Sequence, residues 1–289
     1  MSQAIFVHIP KTAGSTLRTL ISENYDLDVV LDLKDHHPKE LLVVSASHMG
    51  KTDKYEIIMG HMPYGVHRFL NIRNPRYFTF LRDPISRFIS DVANNMRHKN
   101  NIFYERLVTP SPAHGDAFGV ALDIPYYRNT MTHFVCGSYS TETISMTQLG
   151  VAIDNLWGSE FVGITEDFEV SSLILAKKLG WKRIIPQKCQ VRPDSVEPVS
   201  QELKERLDRA LAYDRMLYTV AQEHLARSKK MYGVLLEEAA CELSEIMRIQ
   251  EVEYPNAKFI SKWGVTDVPL NSYNAYIKPG SPLYRWINE

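Results

Sequence analysis

The sequence predicts an α/β fold: a doubly wound parallel sheet flanked by helices, then a helical C-terminal part and an irregular tail. Three observations predict it. Short apolar runs alternate with helical stretches. The runs are apolar without strict alternation, as in strands buried on both faces. Twice a run passes through a tight turn directly into a helix, at "IFVHIPKTAGSTLRTL" (5–20) and "RYFTFLRDPISRF" (76–88).

The elements follow in order. Residues 4–9 read as the first strand, and 15–24 as a helix with Leu17, Leu20 and Ile21 on one face. "LDVVLDL" (27–33), "KYEIIMGHM" (54–62) and "RYFTFL" (76–81) are further strands, the last leading into Arg82. Asp83 suits an N-cap and Pro84 the first helical position. Ile85, Phe88, Ile89 and Val92 then form a buried stripe. Residues 98–125, with Pro110, Pro112, Gly115 and Gly119, read as a long surface segment. "ISMTQLGVAIDNL" (144–156) is an amphipathic helix, "EFVGIT" (160–165) a buried strand, and 167–181 a helix closed by Gly180. Pro198 and Ser200 open a helical region running to about Ile249, with breaks expected near Tyr213 or Gly233. This divides the chain into an α/β domain over 1–250 and an irregular tail over 251–289, packed on that domain.

With 289 residues and 44% hydrophobic content, the chain can bury one large core. Charges nearly cancel, 33 basic against 34 acidic, so no global field points to nucleic acid. Cys136, Cys189 and Cys241 are far apart and read as free thiols of a reducing compartment, hence a cytoplasmic location. No signal peptide or membrane-spanning segment is read, and no zinc-ligand spacing occurs, so no metal site is expected.

The first loop holds a lysine, a glycine and a hydroxyl pair between a strand and a helix start. That makes the fold P-loop-like: backbone N–H groups and the helix dipole converge on an anion there. Yet the lysine comes early. Lys11 precedes Gly14, whereas the metal-assisted nucleotide loop runs Gly-Lys-Ser/Thr. Lys11, Thr12, Ala13, Gly14, Ser15 and Thr16 therefore suit a phosphate-like group held without a metal. Gly14 is expected to let the backbone approach the anion. Arg82, at a strand end, and Ser90, about two helical turns on, suit a second phosphate. A salt bridge of Arg82 to Asp83 or a neighbour is the alternative. In a parallel sheet both sites share one edge, which suggests one ligand with two separated anionic groups.

"IPKTAGST" resembles the 5′-phosphosulfate loop of sulfotransferases that use 3′-phosphoadenosine 5′-phosphosulfate (PAPS), and "TFLRDPISRFIS" resembles their 3′-phosphate segment. "GHMPYG" (60–65), "FVGITEDFEVSSLILAKKLG" and "ALAYDRMLY" are similar to weaker stretches of the carbohydrate-type branch that includes heparan sulfate 2-O-sulfotransferase. The resemblance spans about 4–225 and implies a soluble relative of bacterial type. Two positions depart from it. Met59 stands where the polysaccharide enzyme has a second histidine, which removes a paired histidine there. His133 stands where that branch has arginine, which counts against an acidic polysaccharide acceptor.

The resemblance implies PAPS as co-substrate, His61 as general base, Lys11 on the bridging oxygen and sulfonate, and a small-molecule or glycan alcohol as acceptor. A histidine titrates near neutrality and suits such a base. Arg192 falls where relatives have a loop near the nucleotide, as a further candidate contact. His8 reads as a core histidine, and His36 and His37 as solvated. Two other readings stay open: a P-loop kinase or other NTP-dependent phosphotransferase, and a non-catalytic nucleotide-binding relative. The acceptor's identity and the oligomeric state are not legible.

Overall fold

A computed structural model describes residues 2–33, 52–109, 116–138, 143–186, 200–253 and 276–289. Five parallel strands form the sheet: β1 (Gln3–Val7), β2 (Val30–Asp32), β3 (Ile57–Gly60), β4 (Pro75–Leu81) and β5 (Phe161–Ile164). Their order is β2-β3-β1-β4-β5. The predicted doubly wound parallel sheet is thus the one observed. In β1, β3 and β5 every residue is buried, as near-continuous apolar runs require. Val7 pairs with Gly60 of β3 on one side and with Thr79 of β4 on the other. Since all strands are parallel, the residues after β1, β3, β4 and β5 emerge at one edge. The chain leaves β1 toward β2 and leaves β4 toward β5, so the winding reverses between β1 and β4. Ligands of open α/β sheets bind at such a reversal.

Helices cover both faces: α1 (Gly14–Asn24), α2 (His67–Leu70), α3 (Pro84–Asn95), α4 (Tyr104–Val108), α5 (Ala117–Leu122), α6 (Thr130–Cys136), α7 (Met146–Trp157) and α8 (Phe168–Leu179). Asp83 caps α3 by accepting from Ser86 N at 2.8 Å, with Pro84 in the first turn. Phe88, Ile89 and Val92 are buried as expected. The reading of 98–125 as a long surface segment needs correction. Among its described residues α4 and α5 form, and Leu107, Ala121, Leu122 and Ile124 join a second hydrophobic core with Phe88, Val92 and Tyr127. Residues 110–115 lie outside the described residues.

The C-terminal part is helical: α9 (Gln201–Ala210), α10 (Ala212–Tyr232) and α11 (Val234–Glu253), interrupted at Leu211 and at Gly233, φ 64°. The tail is corrected in part. Its last residues form α12 (Pro282–Asn288), capped by Ser281. Trp286 is buried and donates Nε1–H to Leu173 O at 3.1 Å, while Glu242 accepts from Leu283 N at 2.8 Å. Among the described residues no helix is long and apolar enough to cross a membrane.

One buried carboxylate ties α10 to α6. Asp214 is fully buried; its Oδ1 accepts from Thr132 N and Thr132 Oγ1, each at 2.8 Å, and its Oδ2 from Met131 N at 3.2 Å. In return Asn129, in the left-handed region at φ 50°, accepts from Tyr213 N and Asp214 N at 3.1 and 3.0 Å. Each helix start is thus capped by a side chain of the other. Burial raises the Asp214 pKa, and Arg87 and the Thr132 donors oppose that rise. Asp214→Ala strands buried N–H groups, each costing about 1–3 kcal/mol. A fall in melting temperature of roughly 6 °C or more is expected on the scale of about 2–4 °C per kcal/mol for such chains. A melting temperature within a degree of the parent's contradicts this account of the motif's aspartate.

Candidate active site

Strand β1 ends at Val7, and the chain turns through Ile9 and Pro10 into α1. Two non-glycine residues of this turn adopt left-handed backbone, Lys11 at φ 69° and Ala13 at φ 63°. Each such residue costs about 1–2 kcal/mol, and strain of this kind gathers at ligand-binding turns. Thr12 holds the turn closed: its Oγ1 donates to Ile9 O at 2.9 Å and the residue is fully buried. Its hydroxyl therefore does not serve a ligand; only its amide remains for that role. Ala13 gives α1 no side-chain cap, and the first turn carries no acidic residue. The leading N–H groups of Gly14, Ser15 and Thr16 and the positive end of the helix dipole therefore meet no carboxylate from the helix's own first turn.

Glycine at 14 has a further reason in the structure. A Cβ on Gly14 would fall 1.7 Å from Nε2 of His8. Glycine is required there because an imidazole lies against its Cα. Lys11 extends the other way, its Nζ donating to Asn94 Oδ1 of α3 at 3.3 Å.

Strand β4 delivers Arg82 beside this loop. Its Nη1 donates to Lys11 O at 3.2 Å, which directly joins the two sequence-predicted anion motifs. The alternative expected for Arg82, a salt bridge to a neighbour, has a counterpart here, because Nε lies 3.9 Å from Glu166 Oε1 just after β5. Glu166 Oε1 accepts from Asp83 N at 3.0 Å, and its Oε2 accepts from the Tyr218 hydroxyl at 2.9 Å. Burial and the neighbouring Glu166 push the Tyr218 pKa up. Ser90 lies partly exposed on α3 beside Asp91.

An adjoining face of α3 carries a buried polar stripe. Arg87, fully buried, donates Nη1 to Asp91 Oδ2 at 3.1 Å and Nη2 to Tyr127 O at 3.3 Å. Asn95 donates to the Tyr127 hydroxyl at 2.8 Å. Burial raises the Asp91 pKa; Arg87 opposes this most, and Lys11 and His61 add smaller opposing effects. Asp91 thus feels the charges of both Lys11 and His61.

His61 follows β3 and is partly buried. Its Nδ1 lies 2.7 Å from His8 O. A carbonyl only accepts, so in the neutral ring Nδ1 carries the hydrogen and Nε2 keeps its lone pair. That is the tautomer a general base needs. The chain beyond His61 is pinned by Tyr77 of β4, whose hydroxyl oxygen accepts from Gly65 N and His67 N at 3.1 Å each and donates to His67 Nδ1 at 2.7 Å.

The structure therefore brings Lys11, Thr12, Ala13, Gly14, Ser15, Thr16, Arg82 and His61 to one sheet edge, with Ser90 on the adjoining helix. Arg192 lies outside the described residues. Sequence reasoning missed Glu166, Tyr218, Arg87, Asp91 and Asn94. The 87, 91, 95 spacing of polar residues on one helix was a usable sign; the Glu166–Arg82 pairing depends on strand order and had none. His8, read as a core histidine, is buried but stacks on His61 with ring centroids 4.0 Å apart. Among the described residues no group of three or more His, Cys, Asp or Glu is arranged to hold a metal ion.

The donor set fits a ligand with two anionic groups: a strained turn with a lysine at an uncapped helix start, and an arginine hydrogen-bonded to that same turn. A family model described as Sulfotransferase family matches residues 2–211. No curated protein matches the chain.

Proposed function

The chain belongs to the sulfotransferase family, and on that premise we propose that it transfers a sulfuryl group from PAPS to an acceptor hydroxyl, with His61 as general base. The observation that carries the reading is the Arg82–Lys11 O hydrogen bond at 3.2 Å, beside a histidine fixed in the base-competent tautomer. When bound, PAPS supplies the sulfuryl group: the acceptor oxygen bonds to sulfur as the bond from sulfur to the phosphate oxygen breaks.

The chain's own residues do the rest. Amides of Thr12 to Thr16 and the α1 dipole hold the 5′-phosphate. Arg82 and Ser90 hold the 3′-phosphate. Lys11 leaves Asn94 to offset charge growing on the departing oxygen, and His61 Nε2 takes the acceptor's proton. Positioning and electrostatics carry such transfers, as in phosphoryl transfer. The acceptor is an alcohol of a small molecule or glycan.

Arg82→Ala and Ser90→Ala are expected to weaken binding of 3′-phosphoadenosine 5′-phosphate (PAP) and hardly change binding of adenosine 5′-phosphosulfate, which lacks the 3′-phosphate. A charge-assisted contact is worth about 1.5–3 kcal/mol, so Arg82 should show the larger loss. Calorimetry on both ligands decides: equal losses would place these residues on another part of the nucleotide.

A further inference from the structure

The role assigned to His61 leaves open what holds its ring plane against the loop that carries Lys11. His8 touches both. Its backbone N donates to Gly60 O at 3.1 Å, and its carbonyl accepts from His61 Nδ1 at 2.7 Å. Its ring lies between Phe6, at 5.4 Å and 11°, and His61, at 4.0 Å and 28°. The third contact is Gly14, whose Cα has no room for a Cβ because of this ring. His8 is 6% exposed, and its Nδ1 has no hydrogen-bond partner among the described residues.

A buried imidazole nitrogen without a partner costs free energy. An apolar ring in this place would avoid that cost, so its retention calls for a reason beyond core filling. Burial holds the ring neutral, and the charges of His61, Arg18 and Lys11 reinforce this. A neutral ring is what the arrangement needs, since a second cation would repel the imidazolium that His61 becomes. A cation over a neutral aromatic face is attracted to it.

We propose that His8 is the positioning residue for His61: a wedge between the Lys11 loop at Gly14 and the His61 ring, setting the base's plane and its distance from the anion site. The proposal rests on the reading of His61 as the base. Its side-chain part is separable from the carbonyl part, because substitution leaves His8 O in place.

The test uses three variants of the full chain: His8→Ala, His8→Phe and His61→Ala. PAP release from PAPS is followed with a panel of simple alcohols and phenols as acceptors. PAP affinity is measured by calorimetry. The ring-nitrogen signals of His61 are followed by ¹⁵N NMR above the usual histidine titration range. His8→Ala is expected to lower kcat about 10- to 100-fold, the scale of a misplaced catalytic group, with PAP affinity changed by less than about 3-fold, well under one hydrogen bond to a charged group. His61 should keep the Nδ1–H tautomer that His8 O fixes, while its ring signals broaden as the ring plane loses its support. His8→Phe, which keeps a flat aromatic face, should recover most of the turnover and the sharp ring signals. Should His8→Ala not fold, His8→Leu fills the space without an aromatic face and is expected to show the same losses.

Parental turnover with an unchanged His61 spectrum in His8→Ala, or a His8→Phe no better than His8→Ala, overturns the proposal. The two readings fail separately. If His61→Ala keeps turnover, the base assignment falls. If His61→Ala is inactive while His8→Ala is normal by rate and by spectrum, only the His8 role falls.

Discussion

His61→Ala is expected to abolish most sulfuryl transfer and leave PAP binding intact. The histidine is the residue after β3, one strand away from the loop, and no contact of its ring with the proposed phosphate groups is invoked. Its Nδ1–H is committed to His8 O at 2.7 Å, so the proton it takes arrives at Nε2. A general base contributes about 10²- to 10⁴-fold, and the variant should fall by that factor in kcat. The sign of the pH dependence follows from the same role. The base works unprotonated, so kcat/KM should rise with pH through the range where histidines titrate, and the variant should lack that ascending limb. Calorimetry with PAP should give the parental affinity. A variant that turns over normally, or one that keeps the ascending limb, removes His61 from the mechanism.

Lys11→Ala is expected to lower kcat by about 10²-fold or more, the usual cost of losing a donor that meets charge developing in the transition state. The effect on PAP affinity should be smaller. Lys11 Nζ donates to Asn94 Oδ1 at 3.3 Å. Its charge acts on the departing oxygen, where it counts toward rate more than toward ground-state binding. The Gly-Lys-Ser/Thr order, whose hydroxyl holds a divalent ion, is missing here, and Lys11 supplies positive charge instead. EDTA-treated protein is therefore expected to keep its activity. A variant with near-normal kcat and much weakened PAP binding would make Lys11 a simple phosphate ligand, and loss of activity in EDTA would return the kinase-type chemistry to consideration.

The parts of this molecule that were legible in advance are those written locally. Each strand is a short apolar run, and Asp83-Pro84 marks the start of α3 by capping chemistry alone. Lys11 and Arg82 could be paired in advance because a parallel sheet puts all strand ends at one edge. What was illegible depends on which strands are neighbours. His8 and His61 are 53 residues apart and meet only because Val7 pairs with Gly60. Glu166 reaches Arg82 only because β5 lies beside β4. The steric reason for Gly14 lies in a contact with the His8 ring, which its own turn does not reveal. Some misses were local. Helices α4 and α5 span too few residues for a 3.6-residue period to show between prolines and glycines. Helix α12 opens with Ser281-Pro282, the same kind of cap that was recognised at Asp83-Pro84, but in a stretch too short and aromatic to show periodicity.

The central claim is that one edge of the sheet binds a nucleotide with both a 5′- and a 3′-phosphate group. Thermal unfolding with PAP, with AMP, and with ATP plus Mg²⁺ tests it without any knowledge of the acceptor. A ligand at about 100 times its dissociation constant stabilises the folded state by about 2.7 kcal/mol, a shift of several degrees for a chain of this size. That shift is expected with PAP, a much smaller one with AMP, and none that depends on Mg²⁺ with ATP; Arg82→Ala should reduce the PAP shift toward that of AMP. No stabilisation by PAP, or stabilisation by ATP plus Mg²⁺ that exceeds it, would contradict the account.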